Sequence, residues 1–387
     1  MKNIYIFCKP GVAYEYGTGT FVNQFIIAFR KEPVQLNIVY LGSDKNTFSE
    51  EYKEGIRYLH LPLPDTSALT EEETVLEKKV MIYFLLPYMQ AVESPVFLFN
   101  CLEKECFVEQ LRTYCPSARI LYVVHYLDWG GSVSDEELTF YQAVDKLICL
   151  SKETVRFLVE QKNVPANKMV CIKNALEDMF TPLSEEEKLA LRRKWYIGPD
   201  EKIVLFVGRV DLFKGMDFLI EAFKLFIKEK PESRLFIVGD GLLDVYIRKC
   251  DPAWSKITFT GKLAYEKVQE LYRIADLGVL SSLQEQCSFV AIEMLMYGIP
   301  TIVSDAPGLN EMFEEGVNTF RKVKLTYRHP ISPAEVNTLS RAMQEAFEEV
   351  ERLRKIGYMS RKCYEENYRL ARFQEEWRNV CKDIFLS

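Results

Sequence analysis

Two cations five positions apart, Arg209 and Lys214, and two carboxylates eight positions apart, Glu285 and Glu293, are the residues best placed to do chemistry. The cations lie between Gly208 and Gly215, glycines that let the connecting loop turn tightly. A guanidinium can fork two donors onto phosphate oxygens, and an ammonium adds a compact charge beside it. Glu285 precedes an expected helix and Glu293 lies about two turns into it. Each carboxylate can accept from a pair of hydroxyls, and the first backbone amides of that helix, near 287–290, can meet an anion. Two cations for a pyrophosphate and two carboxylates for sugar and ribose hydroxyls add up to a site for a nucleotide sugar. Taken singly, the segments also read as solvated surface charges and as a glutamate complementing a helix dipole. The ordered combination is what points to chemistry.

These residues need strands to aim them. Short apolar runs at 4–7, 36–41, 96–99, 120–124 and 147–150 suit parallel strands buried on both faces, with helices expected at 20–30 and 71–90. The second half repeats the scheme. Strands are expected at 203–207, 234–238, 257–260, 277–280 and 301–304, and helices at 217–228, 242–248, 265–274, 290–297 and 333–355. Phe218, Leu219, Ala222, Phe223, Phe226 and Ile227 form one apolar stripe at helical spacing. Both site segments directly follow a strand, where ligands bind in open α/β sheets. The join lies near 174–198. There Ser184 and Glu187 can form a capping box, and Pro182 and Gly198-Pro199 punctuate the chain. The domains expected are 1–178 and 179–363, with an aromatic-rich helical tail over 364–387 (Tyr368, Phe373, Trp377) that packs back across the junction.

Composition narrows the function classes. At 387 residues the chain suits two domains, and 48% hydrophobic residues can fill two cores. A net charge of −7 argues against nucleic-acid binding, which rests on phosphate neutralisation over a broad surface. None of the ten cysteines forms a close C-x-x-C pair, and most lie in apolar runs, as Cys149 and Cys171 do; they read as reduced core thiols of a cytoplasmic protein. The opening run at 4–8 is too short for a secretory leader, and the greasy stretch at 80–89 is too short to span a membrane. Two basic clusters, Arg192-Arg193-Lys194 and Arg352 with Arg354-Lys355, read as solvated helix faces and leave peripheral contact with the inner face of a membrane open.

In combination the motifs resemble retaining glycosyltransferases of family 4, the glycosyl transferases group 1. The resemblance is carried by Phe206-Val207-Gly208-Arg209 with Lys214-Gly215, Val238-Gly239-Asp240-Gly241, Phe259-Thr260-Gly261, Ala275-Asp276, the Glu285-to-Glu293 run and Tyr297-Gly298-Ile299-Pro300-Thr301, in that order. In the first half, Ser151-Lys152-Glu153-Thr154 and the segment from Val164-Pro165 to Asn174-Ala175 match the family's pre-hinge stretch. The likeness is dense over 145–320 and thin before about 120. It implies an α/β, GT-B fold: two Rossmann-like, doubly wound parallel-sheet domains facing a central cleft, with the C-terminal helix crossing back to the first domain. It also implies roles. Arg209 and Lys214 would hold the donor pyrophosphate and stabilise it as it leaves. Glu285 would contact donor-sugar hydroxyls, Ser288, Phe289 and Val290 would offer backbone amides, Glu293 would bind the ribose, and Gly208 and Lys262 would complete the donor site. In the first domain, Gly17 and Gly19 of Tyr16-Gly17-Thr18-Gly19 would approach the phosphates, although the turn also reads as a plain helix start. His125 would contact the donor sugar, although it also reads as a satisfied structural histidine. His60, His329 and Asp128 receive no role.

The activity expected from the resemblance is transfer of a hexose or N-acetylhexosamine from a nucleoside diphosphate sugar, a UDP-sugar first, to a hydroxyl acceptor. No cofactor is expected, and no metal, since no Asp-x-Asp pair occurs. A polysaccharide, a lipid-linked sugar, a small metabolite and a peptide are all open as acceptor. The loops at 42–48, 62–69 and 126–136 are expected to build its site. An epimerase, hydrolase or phosphorylase on the same scaffold is a second reading. A catalytically silent partner subunit, which would show eroded cation and carboxylate pairs, is a third.

Overall fold

Eight short strands come first along the chain, and all but the third owe their place to apolar runs rich in β-branched and aromatic residues. A computed structural model describes residues 2–9, 17–43, 47–62, 71–89, 94–103, 105–127, 129 and 133–386. The chain forms two compact units, Met1–Ala175 with Leu370–Ser387, and Leu176–Arg369. The first unit holds β1 (Lys2–Cys8), β2 (Val34–Ser43), β3 (Ser49–Lys53), β4 (Ile56–Pro62), β5 (Val96–Phe99), β6 (Arg119–Val124), β7 (Lys146–Cys149) and β8 (Met169–Cys171). They lie in the order β3-β4-β2-β1-β5-β6-β7-β8, all parallel except β3, which pairs antiparallel with β4. Parallel β5 and β6 bring Phe97 and Phe99 beside Ile120 and Tyr122. The core is largely aromatic there, with Phe7 and Phe99 stacked at 4.7 Å.

The second unit is built the same way from β9 (Lys202–Val207), β10 (Ser233–Val238), β11 (Ile257–Gly261), β12 (Leu277–Leu280), β13 (Thr301–Ser304) and β14 (Arg321–Val323). Their order is β11-β10-β9-β12-β13-β14, and every pairing is parallel. The helix Met216–Glu229 buries its Phe218, Leu219, Ala222, Phe223 and Phe226 against this sheet. Strand order reverses once in each sheet, between β1 and β5 and between β9 and β12. Such a reversal opens a crevice at the carboxyl ends of the strands. Crossovers between parallel strands are right-handed as a rule, so winding that reverses direction sets helices on opposite faces of a sheet.

Several expectations need correction. The single helix over 333–355 is two, Pro333–Glu348 and Val350–Asn367, broken at Glu349 (ψ 57°). The apolar stripe hid the break, because Ala346 and Leu353 keep helical spacing across it. The first helix packs on Met216–Glu229 and the second on Phe289–Met296, so the chain turns to follow two different partners. The tail helix starts at Leu370 and not at Tyr364, which lies inside the preceding helix, Val350–Asn367. The hairpin β3–β4 was missed because β3 is Glu-rich and exposed. Its turn carries Glu54 (φ 53°) and Gly55 (φ 80°), the left-handed pair that a tight hairpin needs. The Ser184 capping box forms as expected, with Glu187 N donating to Ser184 Oγ at 3.2 Å.

The tail helix Leu370–Leu386 belongs to the first unit. Phe373 and Trp377 pack on helix Gly17–Phe29, with the Phe25 and Trp377 rings 5.0 Å apart, and Gln374 donates to Ala28 O at 2.7 Å. The tail therefore fixes the helix whose first turn carries Gly17 and Gly19. No described helix is long and apolar enough to cross a membrane. Residues 44–46, 63–69, 128 and 130–132 of the expected acceptor loops, and Tyr16 of the glycine turn, lie outside the described residues.

Candidate functional site

The β9–β12 ladder is short, pairing only Val204 with Leu277 and Leu205 with Gly278. Beyond it the strands are free to diverge, and the two site segments fill the opening. After β9 the chain turns at Gly208 and enters a one-turn 3-10 helix, Leu212–Lys214, whose N-cap Asp211 accepts from Lys214 N at 2.9 Å. The other oxygen of Asp211 lies 3.2 Å from the exposed Arg209 guanidinium. Gly215 then takes φ 68°, and a Cβ there would come within 2.0 Å of Ser281 O, the carbonyl just past β12. Ser281 Oγ donates back to Lys214 O at 2.8 Å. The cation loop is thus pressed onto the end of β12 with no room for a side chain at Gly215.

This seating brings the Lys214 ammonium onto the Glu285 carboxylate in a close ion pair, with side chains 21% and 12% exposed. Ser282 Oγ donates to the same carboxylate at 3.2 Å. Ser288 caps the helix Phe289–Met296 by accepting from Ala291 N at 3.3 Å, which leaves the first helical amides, those of Phe289 and Val290, with no intrahelical acceptor. A cation, a carboxylate and a helix start therefore converge at the crevice, a setting that suits an anion bearing hydroxyl groups.

The loop at Glu285 is held from behind by Gly308. Its amide donates to Glu285 O at 3.0 Å, and a Cβ on it would sit 1.9 Å from Gln286 O. Gly308→Ala is expected to displace the 285–287 backbone. The expected cost is about 1–3 kcal/mol of stability and, because a misplacement of about 1 Å at a reacting centre can cost on the order of 100-fold, a large loss of turnover. Urea unfolding and turnover measured on the same preparation check it. Wild-type behaviour in both would show that the loop tolerates the shift.

Glu293 sits apart from this group. It is 9% exposed, and its carboxylate accepts from the Tyr272 hydroxyl at 2.7 Å and from that of Tyr265. Burial pushes its pKa up to about 7, and the two tyrosine donors oppose that rise only in part. Tyr297 stacks on Tyr272 at 5.2 Å and closes the cluster. No hydrogen bond among the described residues joins this cluster to the Lys214–Glu285 pair. Lys262 is exposed and directly follows Gly261 (φ 67°) at the end of β11.

In the first unit the β1/β5 crevice carries the remaining candidates. Gly17 and Gly19 lie within the first turn of the helix Gly17–Phe29, which begins at Gly17 and not at the expected Thr20. His125 follows β6; its Nε2 meets Asn100 Oδ1, and Phe21 packs edge-on against its ring at 5.0 Å. Burial pushes the imidazole pKa down to about 3, so the ring is neutral at physiological pH. Asn100 follows β5 and also donates through Nδ2 to Thr18 O at 3.1 Å.

Residues 187–362, inside the second unit, match the family described as glycosyl transferases group 1. This stretch belongs to that family. An uncharacterized glycosyltransferase of Methanocaldococcus jannaschii is 32% identical over 204 residues, covering 49% of this chain and 51% of the relative. The mannosylfructose-phosphate synthase of Agrobacterium fabrum is 30% identical over 185 residues, covering 45% and 40%. The matched part spans about half the length of these curated relatives. Over the whole chain, the crystal structure of Anabaena HepE in complex with UDP is similar with a TM-score of 0.78 at 14% identity, covering 99% of this chain and 100% of that one. At that identity the likeness establishes the fold, which is GT-B.

Sequence reading missed Asp211, Asn100, Tyr265, Tyr272 and Gly308 in the group 1 domain and its companion unit. Asp211 carried a signal, an N-cap residue type three positions before Lys214. Gly308 follows a proline at a helix start, which marks a turn but not what it touches. The other three lie outside the motifs and become visible only through strand and helix neighbours.

Proposed function

We propose that the protein is a retaining, metal-independent glycosyltransferase that moves a hexose or N-acetylhexosamine from a nucleoside diphosphate sugar to a hydroxyl acceptor. The observation that carries this reading is the Lys214–Glu285 pair, set across the β9/β12 reversal beside the first amides of helix Phe289–Met296. In the reaction the bond from the anomeric carbon to the diphosphate oxygen breaks, and its electron pair goes to the diphosphate. The acceptor oxygen bonds to the anomeric carbon on the same face and passes its proton to the leaving phosphate oxygen. Arg209, Lys214 and the amides of Ser288, Phe289 and Val290 stabilise the charge that develops on the diphosphate. Glu285, released from Lys214 as the ammonium turns to phosphate, accepts from the sugar hydroxyls. Glu293 accepts from the ribose and Lys262 borders the base. Gly17 and Gly19 let backbone approach the phosphates, and His125 contacts the donor sugar.

A UDP-sugar is the donor proposed first, supported by the solved HepE complexes with UDP and with UDP-glucose. The acceptor is a hydroxyl of a polysaccharide, a lipid-linked sugar, a small metabolite or a peptide. The test is a screen of UDP- and GDP-sugars for released nucleoside diphosphate, with water as default acceptor and with or without EDTA. The expected result is release from a UDP-sugar that EDTA changes by less than about twofold, since fixed cations and amides take the place of a metal. Loss of turnover in EDTA would overturn metal independence. Nucleotide binding without any release would point to an epimerase, and no nucleotide binding at all to a silent partner subunit.

A further inference from the structure

The reversal of strand order in the first unit leaves Asn100 immediately beyond β5 and next to β1, with its backbone amide donating to Phe7 O at 3.0 Å. The residue is 4% exposed, so both ends of its side-chain amide must be satisfied by protein. They are. Nδ2 donates to Thr18 O at 3.1 Å, and Oδ1 faces His125 Nε2. A backbone carbonyl can only accept, so the NH2 end of the amide must point at Thr18. The carbonyl end then points at the imidazole, and it too can only accept. The proton must therefore sit on Nε2. Turning the amide over would set two oxygens against each other at Thr18 and leave the buried Asn100 oxygen without a donor there, which is the costlier arrangement.

We propose that Asn100 is a positioning residue that ties the start of helix Gly17–Phe29 to His125 and holds the imidazole as its Nε2–H tautomer, so that the Nδ1 lone pair is presented to a substrate hydroxyl. Among the described residues none hydrogen-bonds Nδ1, and Phe21 fixes the ring plane from the side. A neutral imidazole with one nitrogen committed as donor offers one acceptor and no charge. That combination selects a hydroxyl over a phosphate oxygen, which would need a donor. Asn100 also couples two candidate elements that lie far apart in sequence, since the carbonyl it holds belongs to the turn between Gly17 and Gly19. The hydroxyl part of this proposal rests on the glycosyltransferase reading, whereas the tautomer does not.

The chain has three histidines, which makes nitrogen-15 labelling of histidine directly readable. The signal of His125 is assigned with His125→Gln. The expected result is a neutral Nε2–H pattern that holds across about pH 5 to 8, since burial keeps the ring uncharged. Asn100→Asp keeps the acceptor but adds charge, and is expected to bring the imidazole titration up by at least about one pH unit. Asn100→Leu removes the acceptor and is expected to give mixed tautomers. With a donor sugar, the leucine variant should raise KM about tenfold with little change in kcat, and the aspartate variant should restore KM toward wild type above its new titration. An Nδ1–H pattern in the wild type, or a leucine variant with an unchanged pattern, overturns the proposal. Should the leucine variant fail to fold, the wild-type pattern and the aspartate shift still decide. Absence of turnover with any nucleotide sugar would remove the glycosyltransferase reading and the substrate hydroxyl with it, while the apo-protein pattern separately judges what Asn100 does to the ring.

Discussion

Replacing Lys214 by alanine is expected to lower turnover on the donor sugar by on the order of 100- to 1000-fold, the loss typical when one preorganised charge donor is removed from a leaving oxygen. Two physical effects combine in that figure and can be separated. The first is loss of the ammonium from the diphosphate. The second is release of Glu285, which is 12% exposed and loses the partner that balances its charge. An unpaired carboxylate at an anion site repels the donor, so the single variant should bind nucleotide diphosphate less tightly as well as turn over more slowly. Lys214→Ala combined with Glu285→Ala removes the repulsion. If the double variant recovers nucleotide affinity but not turnover, the ammonium acts on the leaving group. If it recovers both, Lys214 serves mainly to neutralise Glu285. In both variants the Ser281 Oγ bond to Lys214 O still holds the cation loop on the end of β12, whereas the Ser282 bond is lost with the Glu285 carboxylate, so unfolding measured on each variant separates stability from chemistry. Lys214→Arg keeps the charge but brings a planar fork into a space shaped for a compact group, so partial activity is expected. Turnover within a few-fold of wild type in Lys214→Ala would remove this residue from the chemistry.

How much of this was legible in the chain differs sharply between elements. β5 and β12 were read to the residue, because four-residue apolar runs such as Val96–Phe99 and Leu277–Leu280 end abruptly at polar or small residues. The same abruptness placed Arg209, Lys214 and Glu285 beyond strand ends, where the structure has them. Strand order was not legible, because it depends on which strands lie side by side and not on any one segment. Without it Asn100 could not be linked to His125, 25 positions away, although the two lie on adjacent strand ends. The same holds for Tyr272 and Glu293, 21 positions apart and joined by a buried hydrogen bond. Periodicity misled at Glu349 and near Tyr368 for a related reason. An apolar stripe reports which side of a helix is covered and is silent on a change of partner. In the second unit the close-packed glycines Gly215 and Gly308 could be flagged as turns, but the carbonyls they pack on, Ser281 O and Gln286 O, are set by tertiary structure alone.

Glu293→Gln is expected to strengthen the fold at alkaline pH while weakening nucleotide binding, two opposite effects from one atom exchange. The buried carboxyl has a folded-state pKa pushed up to about 7 from an ordinary 4.5. An acid with a raised pKa binds its proton more tightly when folded, so stability falls as pH rises from 4.5 toward 7 and is level above that. At about 1.4 kcal/mol per pH unit, the ionised carboxylate costs the fold roughly 3 kcal/mol at pH 8. Glutamine cannot ionise, and its stability should lack that fall. Part of the gain is offset because the amide nitrogen cannot accept from a tyrosine hydroxyl, so one of Tyr272 and Tyr265 must turn to accept instead. Urea unfolding of both proteins at pH 5 and pH 8 reads the difference. For binding, a carboxylate that accepts from two ribose hydroxyls contributes charge-assisted hydrogen bonds worth about 1.5–3 kcal/mol, so the variant should bind UDP about ten- to a hundredfold more weakly. The wild type should bind UDP more tightly as pH rises through 7, and below pH 7 binding should release a proton, seen calorimetrically as a dependence on buffer ionisation heat. A variant that gains stability at pH 8 yet binds UDP as the wild type does would make Glu293 a buried partner of the tyrosines and nothing more. One that loses affinity without the stability change would place the ionised carboxylate already in the resting fold, its burial compensated by Tyr272 and Tyr265.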